Sequence, residues 1–164
     1  MRRAARRLIL PLVVFLGAPL LAGDAKVPLP QKELAAETYA LVTDPEKLPM
    51  QVRAALATHL KQPELKMAAA TGRYIATDSI GPGDRDLPIH RLILAAVGRK
   101  YAIVHFESGG YAASRNVAVF VLTDGGADVV WADRIKRRLS APIEFERALK
   151  DGTLFDTKLP PNDY

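Results

Sequence analysis

The sequence predicts an α+β fold: an antiparallel meander of four or five strands packed with N-terminal helices and one C-terminal helix. Residues 86–133 contain successive short apolar runs rich in Val, Ile, Tyr and Phe, each separated from the next by glycine. Segments with helical composition precede these runs, and one amphipathic segment follows them. Because helices and strands occupy separate parts of the chain, the order favours α+β over an alternating α/β architecture.

The predicted strands are four runs at residues 92–97, 101–106, 117–122 and 129–131. Residues that favour turns separate these runs: Gly98, then Gly109 and Gly110, then Asp124, Gly125 and Gly126. Strands repeated about every ten residues between such turns are typical of consecutive hairpins.

Outside the meander, the pattern predicts three helices, one further strand and a long loop. Residues 31–42 are rich in helix formers, and residues 49–62 place Val52, Leu56 and Leu60 on one helical face. A last helix is expected after Ser140. Residues 68–77 are predicted as a strand and residues 78–88, with their Gly and Pro, as a loop. We expect the helices to cover one face of the sheet.

Residues 1–25 are predicted to be a cleavable secretory signal peptide. Four arginines precede an apolar region at residues 8–21, and small residues follow it at Ala22, Gly23 and Ala25. The alternative is an uncleaved membrane anchor, but about 14 apolar residues are fewer than the roughly 20 that a spanning helix needs. The remaining organisation is an extended segment and helix at 26–48, a single α+β domain at 49–155 and a flexible tail at 156–164.

Composition narrows the classes of function. The chain has no cysteine, which excludes disulfides, thiol catalysis and thiolate metal ligands. The net charge is +5, but four of these charges belong to the arginines of the predicted signal peptide. The rest of the chain is almost neutral, which argues against a nucleic-acid partner. We therefore expect an exported, periplasmic protein with no cofactor.

The predicted hairpins bring polar residues together at one end of the sheet. His105 and Glu107 share a strand face because strand side chains alternate. A two-residue loop at Gly98 and Arg99 sets His90 opposite Glu107, whereas a three-residue loop sets Arg91 there. A loop at Gly109 and Gly110 sets Ser114 opposite His105 and Asn116 opposite Ile103. Two-residue loops at both turns place five residues on one face: His90, His105, Glu107, Ser114 and Asn116.

Three interpretations of this cluster are open. His90, His105 and Glu107 could ligate zinc, although we expect no metal. A hydrolase could use His105 as base and Ser114 as nucleophile, with Glu107 orienting the base. The third interpretation is a polar surface that binds without catalysis, in which the binding residues are His90, Arg91, Tyr111 and Asn116.

We favour a non-enzymatic binding or interaction protein over the hydrolase or metal-dependent enzyme, because no dense catalytic signature is present. Its partner would be an unknown protein or small ligand of the cell envelope. A basic run could also contact a membrane, but a solvated connection explains that run more simply: Arg134, Lys136, Arg137 and Arg138.

Overall fold

The computed structural model describes residues 29–155, so the predicted signal peptide and the predicted tail lie outside the described residues. The elements in chain order are α1 (Gln31–Ala36), β1 (Ala40–Val42), α2 (Met50–His59), β2 (His90–Val97), β3 (Tyr101–Ser108), β4 (Ser114–Thr123), β5 (Gly126–Arg134) and α3 (Pro142–Lys150). Short 3-10 turns lie at Pro45–Lys47 and Thr153–Phe155. The predicted α+β class is confirmed.

The five strands form one antiparallel sheet in the order β1-β2-β3-β4-β5. Each strand therefore pairs with its neighbours in the chain, which confirms the predicted meander. None of the helices within residues 29–155 has the length and apolarity required to cross a membrane.

The helices cover both faces of the sheet, so the expectation of a single covered face is wrong. On one face, Val52 and Leu56 of α2 pack in a cluster with Phe106 and Phe120. On the other face, Leu34 of α1 and Phe145 of α3 belong to a cluster with alternate strand residues such as Ile103. The central strands carry apolar residues at consecutive positions, and burying both faces of such strands requires a layer on each side.

The first predicted helix is too long. Helix α1 ends at Ala36, and Ala40–Val42 is strand β1 on the edge of β2. The carboxylate of Glu37 accepts hydrogen bonds from the backbone N–H groups of Lys100 (2.6 Å) and Tyr101 (3.1 Å). These bonds attach the end of α1 to the turn between β2 and β3. Strand pairing here outweighs the helix propensity of the segment.

The predicted strand at residues 68–77 is also wrong. Residues 68–89 form one long loop, in which Ala68 makes a single parallel bridge to Arg91. The loop folds back on itself, since the Ile75 N–H donates to the Pro88 carbonyl oxygen at 2.9 Å. It also packs tightly on the sheet: a Cβ atom added to Gly109 would overlap the carbonyl oxygen of Ile75.

We predict that Gly109→Ala destabilises the protein by about 1–3 kcal/mol, because the added methyl group forces the long loop away from the end of β3. Gly125→Ala is the matched control: the added Cβ meets nothing within 4 Å, and its φ is not in the left-handed region. Its effect should stay within about 0.5 kcal/mol. Chemical denaturation of the two variants measures the difference, and equal stabilities would contradict the close approach.

Candidate functional site

The hairpin between β2 and β3 has a different loop from the predicted one. Gly98 donates its N–H to the Tyr101 carbonyl oxygen at 2.8 Å, so Arg99 and Lys100 form the loop. A bulge between Leu92 and Leu94 then shifts the register by one residue. Arg91 consequently lies opposite Glu107, and the predicted pairing of His90 with Glu107 is wrong.

The connection between β3 and β4 is longer than the predicted two residues. It spans residues 109–113, and Ser108 pairs with Ser114. Of the two glycines only Gly110 has a positive φ, whereas a type I′ turn requires positive φ at both central residues. His105 therefore lies opposite Val117 instead of Ser114. Asn116 lies opposite Phe106 instead of Ile103.

These registers divide the predicted cluster between the two faces of the sheet. His90, Ser114 and Asn116 fall on the α2 face, while His105 and Glu107 fall on the face covered by α1 and α3. The zinc set and the hydrolytic pair of His105 with Ser114 are thus not brought together. Within residues 29–155 no three His, Asp or Glu side chains are grouped as metal ligands.

His105 is fully buried, and both of its ring nitrogens are used in hydrogen bonds. Nδ1 donates to the Asn116 carbonyl oxygen at 3.0 Å, and Nε2 accepts from the backbone N–H of Leu139 at 3.3 Å. Burial lowers the pKa of His105 to about 4, so the ring is neutral near pH 7. The side chain fastens the segment before α3 to the sheet and offers no free nitrogen for base catalysis.

Glu107 is the centre of a charged group that we call the arginine cluster: Tyr74, Arg91, Arg115 and Arg138 around the Glu107 carboxylate. Oε2 accepts hydrogen bonds from Arg91 Nε (3.2 Å), Arg91 Nη2 (2.5 Å) and the Tyr74 hydroxyl (3.1 Å). Oε1 lies 3.7 Å from Arg115 Nε and 3.5 Å from Arg138 Nε. The Arg91 guanidinium also stacks over the Tyr74 ring, 4.2 Å from its centroid.

The electrostatics of the arginine cluster keep Glu107 ionised. Burial by itself would raise the pKa of Glu107, but the hydrogen bond from Arg91 and the charge of Arg138 outweigh it. The resulting pKa is below that of an ordinary glutamate. Burial and the neighbouring Glu107 charge raise the pKa of Tyr74, which therefore stays a neutral donor.

A second polar group lies on the α2 face of the same sheet end. His90 Nδ1 is 3.0 Å from Ser108 Oγ, and Asn116 Nδ2 donates to the hydroxyl oxygens of Ser108 and Ser114, both at 3.1 Å. Burial lowers the pKa of His90, whose ring packs edge-on against Phe106. Among the described residues, no carboxylate bonds to His90, so nothing orients this ring as the acid of a triad does.

Tyr111, predicted as a binding residue, lies in the connection between β3 and β4 and is 94% exposed. The basic run is held at two buried positions, Ile135 and Leu139. All four basic side chains of the run are exposed, and of these Arg138 belongs to the arginine cluster. The membrane contact proposed for this run stays a prediction.

Sequence reasoning missed Tyr74, Arg115 and Arg138 as neighbours of Glu107, and it also missed Ser108. The alternation and pairing of strand residues could have found Arg115 and Ser108, since the β3–β4 register places Arg115 opposite Glu107. Tyr74 and Arg138 come from segments without regular structure, where the sequence carries no positional signal.

Comparison with protein-family models, curated proteins and solved structures returns no match for this chain.

We predict that the free energy of unfolding falls as the pH is lowered from about 6.5 to about 4. The folded-state pKa of His105 is about 4. It is near 6.5 in the unfolded chain, so the unfolded state binds a proton first across this window. His105 alone accounts for a loss of up to about 3 kcal/mol, and His90 acts in the same direction.

Denaturation curves at several pH values test this dependence. His105→Gln should flatten the slope, whereas His59→Gln, at an exposed position in α2, should leave it as in the wild type. An unchanged slope in His105→Gln would show that another group causes the acid sensitivity.

Proposed function

We propose that this chain is an exported, periplasmic protein that binds another molecule at one end of its sheet and has no catalytic activity. The observation that carries the proposal is the arginine cluster, in which three guanidinium groups converge on one buried carboxylate. The exposed Tyr111 lies on the connection between Glu107 and Arg115, so the same end of the sheet presents an aromatic side chain.

The chemistry of this sheet end suits binding. Tyr and Arg side chains contribute a large share of the energy in protein interfaces. Ile89 is 46% exposed and adjoins the same connection, because the Gly109 N–H donates to the Ile89 carbonyl oxygen at 2.8 Å. Strand β3 beneath these residues is buried on both faces and supplies a rigid support.

The contact between His90 and Ser108 is the one observation that favours a hydrolase instead. A serine nucleophile needs a neighbouring base, and the two side chains are 3.0 Å apart. However, His90 has no bonded carboxylate within residues 29–155, and its buried ring disfavours the imidazolium that proton transfer would create. We therefore place binding before hydrolysis.

We predict that the chain is exported and shortened. Expressed from its full coding sequence in a Gram-negative bacterium, it should appear in the fraction released by osmotic shock. Its mass should lack the first 25 residues, or the first 22 if cleavage follows Ala22. A variant lacking residues 8–21 should stay in the cytoplasm. Full-length protein retained in the membrane would favour the anchor alternative.

We predict that the binding surface includes Tyr111. A photo-reactive amino acid at Tyr111 should give a discrete covalent adduct in living cells, because this side chain lies at the proposed surface. The same group at Met50, which is 83% exposed at the start of α2, is the matched control and should give none. Adducts of equal yield at both positions, or none at Tyr111, would contradict the proposed surface.

A further inference from the structure

We infer that the arginine cluster binds a doubly charged oxyanion, a phosphate monoester or the free sulfate ion, between Arg115 and Arg138. This inference rests on the proposed function, since it names the chemistry that the same sheet end recognises.

The charge of the cluster indicates a dianion. Three guanidinium groups surround a single carboxylate, which leaves two positive charges uncompensated within the cluster. Tyr74 contributes no charge, because its raised pKa keeps the hydroxyl protonated. A monoanion such as a carboxylate would leave one charge unbalanced, whereas a phosphate monoester or sulfate would balance both.

The three arginines differ in how much they are engaged by the protein. Arg91 donates twice to Glu107 Oε2 and stacks on Tyr74, and its side chain is only 21% exposed. Arg91 is therefore the least exposed of the three arginines, and its contacts are made within the protein. Arg115 and Arg138 approach the other oxygen, Oε1, at 3.5–3.7 Å, which is too long for a good hydrogen bond.

Arg115 and Arg138 therefore keep donors for a ligand. Arg115 Nη1 donates to the Lys136 carbonyl oxygen at 3.1 Å. Across residues 29–155, neither Arg115 Nη2 nor the two terminal nitrogens of Arg138 make a hydrogen bond. Their side chains are 47% and 42% exposed, so these donors are accessible from solvent. An accessible guanidinium edge is suited to bidentate binding of phosphate or sulfate.

Glu107 holds the two exposed guanidiniums close together before any ligand arrives. Both Nε atoms lie within 3.7 Å of the same carboxylate oxygen, so they are less than twice that distance apart. Without the carboxylate, their like charges would repel each other. A site held in its binding geometry loses less entropy when the ligand binds.

A polar cavity borders the cluster at Tyr74 and Arg91, and neither Arg115 nor Arg138 lines it. The volume of this cavity is about 450 Å³. The dianion could belong to a small soluble molecule or to a lipid with a phosphate monoester headgroup. Both sources present the same chemistry to the arginines.

Titration calorimetry on the protein expressed from its full coding sequence tests the inference, with inorganic phosphate, sulfate and acetate as probes. Phosphate and sulfate should bind at least about tenfold more tightly than acetate, because only the dianions balance the cluster. Sedimentation with phosphatidylcholine vesicles, with or without phosphatidic acid, tests the lipid source. Binding of the free dianions supports a soluble ligand, and binding only to vesicles with phosphatidic acid supports a headgroup.

The double variant Arg115→Gln and Arg138→Gln should lose at least about tenfold in affinity. Its matched control is Arg134→Gln with Arg137→Gln, which removes the same charge from exposed positions outside the cluster. The control should bind like the wild type. If the first variant unfolds, Arg115→Lys with Arg138→Lys keeps the charge but removes the guanidinium forks, and it should still weaken binding.

Three results would overturn the inference: no binding of dianions or vesicles, equal losses in the two glutamine variants, or acetate binding as tight as phosphate. If any of these results is obtained while Tyr111 still gives a covalent adduct, the inferred anion site is wrong but the proposed binding function is supported. Dianion binding without an adduct at Tyr111 would support the anion site and contradict the Tyr111 surface.

Discussion

The burial of strand β3 on both faces is the constraint on which the rest of the structure depends. Every residue from Tyr101 to Glu107 is buried, so both faces of the sheet need a helical layer. Any polar side chain in this strand must be satisfied inside the protein, because an unpaired buried polar group is costly. His105 meets this requirement with two backbone hydrogen bonds, and Glu107 meets it with arginines.

Glu107 has more positive charge around it than its own burial demands. Arg91, with its two hydrogen bonds and its stacking on Tyr74, already compensates the carboxylate. Arg115 and Arg138 add two charges at the accessible side of the same carboxyl group, at longer distances. A purely structural ion pair would gain little from this excess, since exposed pairs contribute only about 0–1 kcal/mol. This surplus of positive charge is the observation from which we infer an oxyanion ligand.

Close backbone packing explains why the loops can present a defined surface. The Gly109 N–H bonds to Ile89, and the lack of a side chain at Gly109 lets the backbone at Ile75 approach the end of β3. This approach sets Tyr74 over Arg91 and against Glu107. His105 holds the second segment in place. Its Nε2 accepts a hydrogen bond from the Leu139 N–H and so fastens the segment that carries Arg138. Two loops distant in sequence thus meet at one carboxylate.

The sequence by itself determined the α+β class, the four strands of the meander, the helices near 50–59 and 142–150 and the loop at 78–88. Each of these follows from local periodicity and turn residues. It also indicated that Glu107 would have a cationic or hydrogen-bonding neighbour, either His90 or Arg91. The tertiary structure decided the register, because the bulge beside Leu92 and the φ of Gly109 depend on packing, and a one-residue slip exchanges the two faces. It also decided that Tyr74 and Arg138 lie beside Glu107. Long-range contacts position the irregular segments that carry these residues, and no local sequence pattern encodes such contacts.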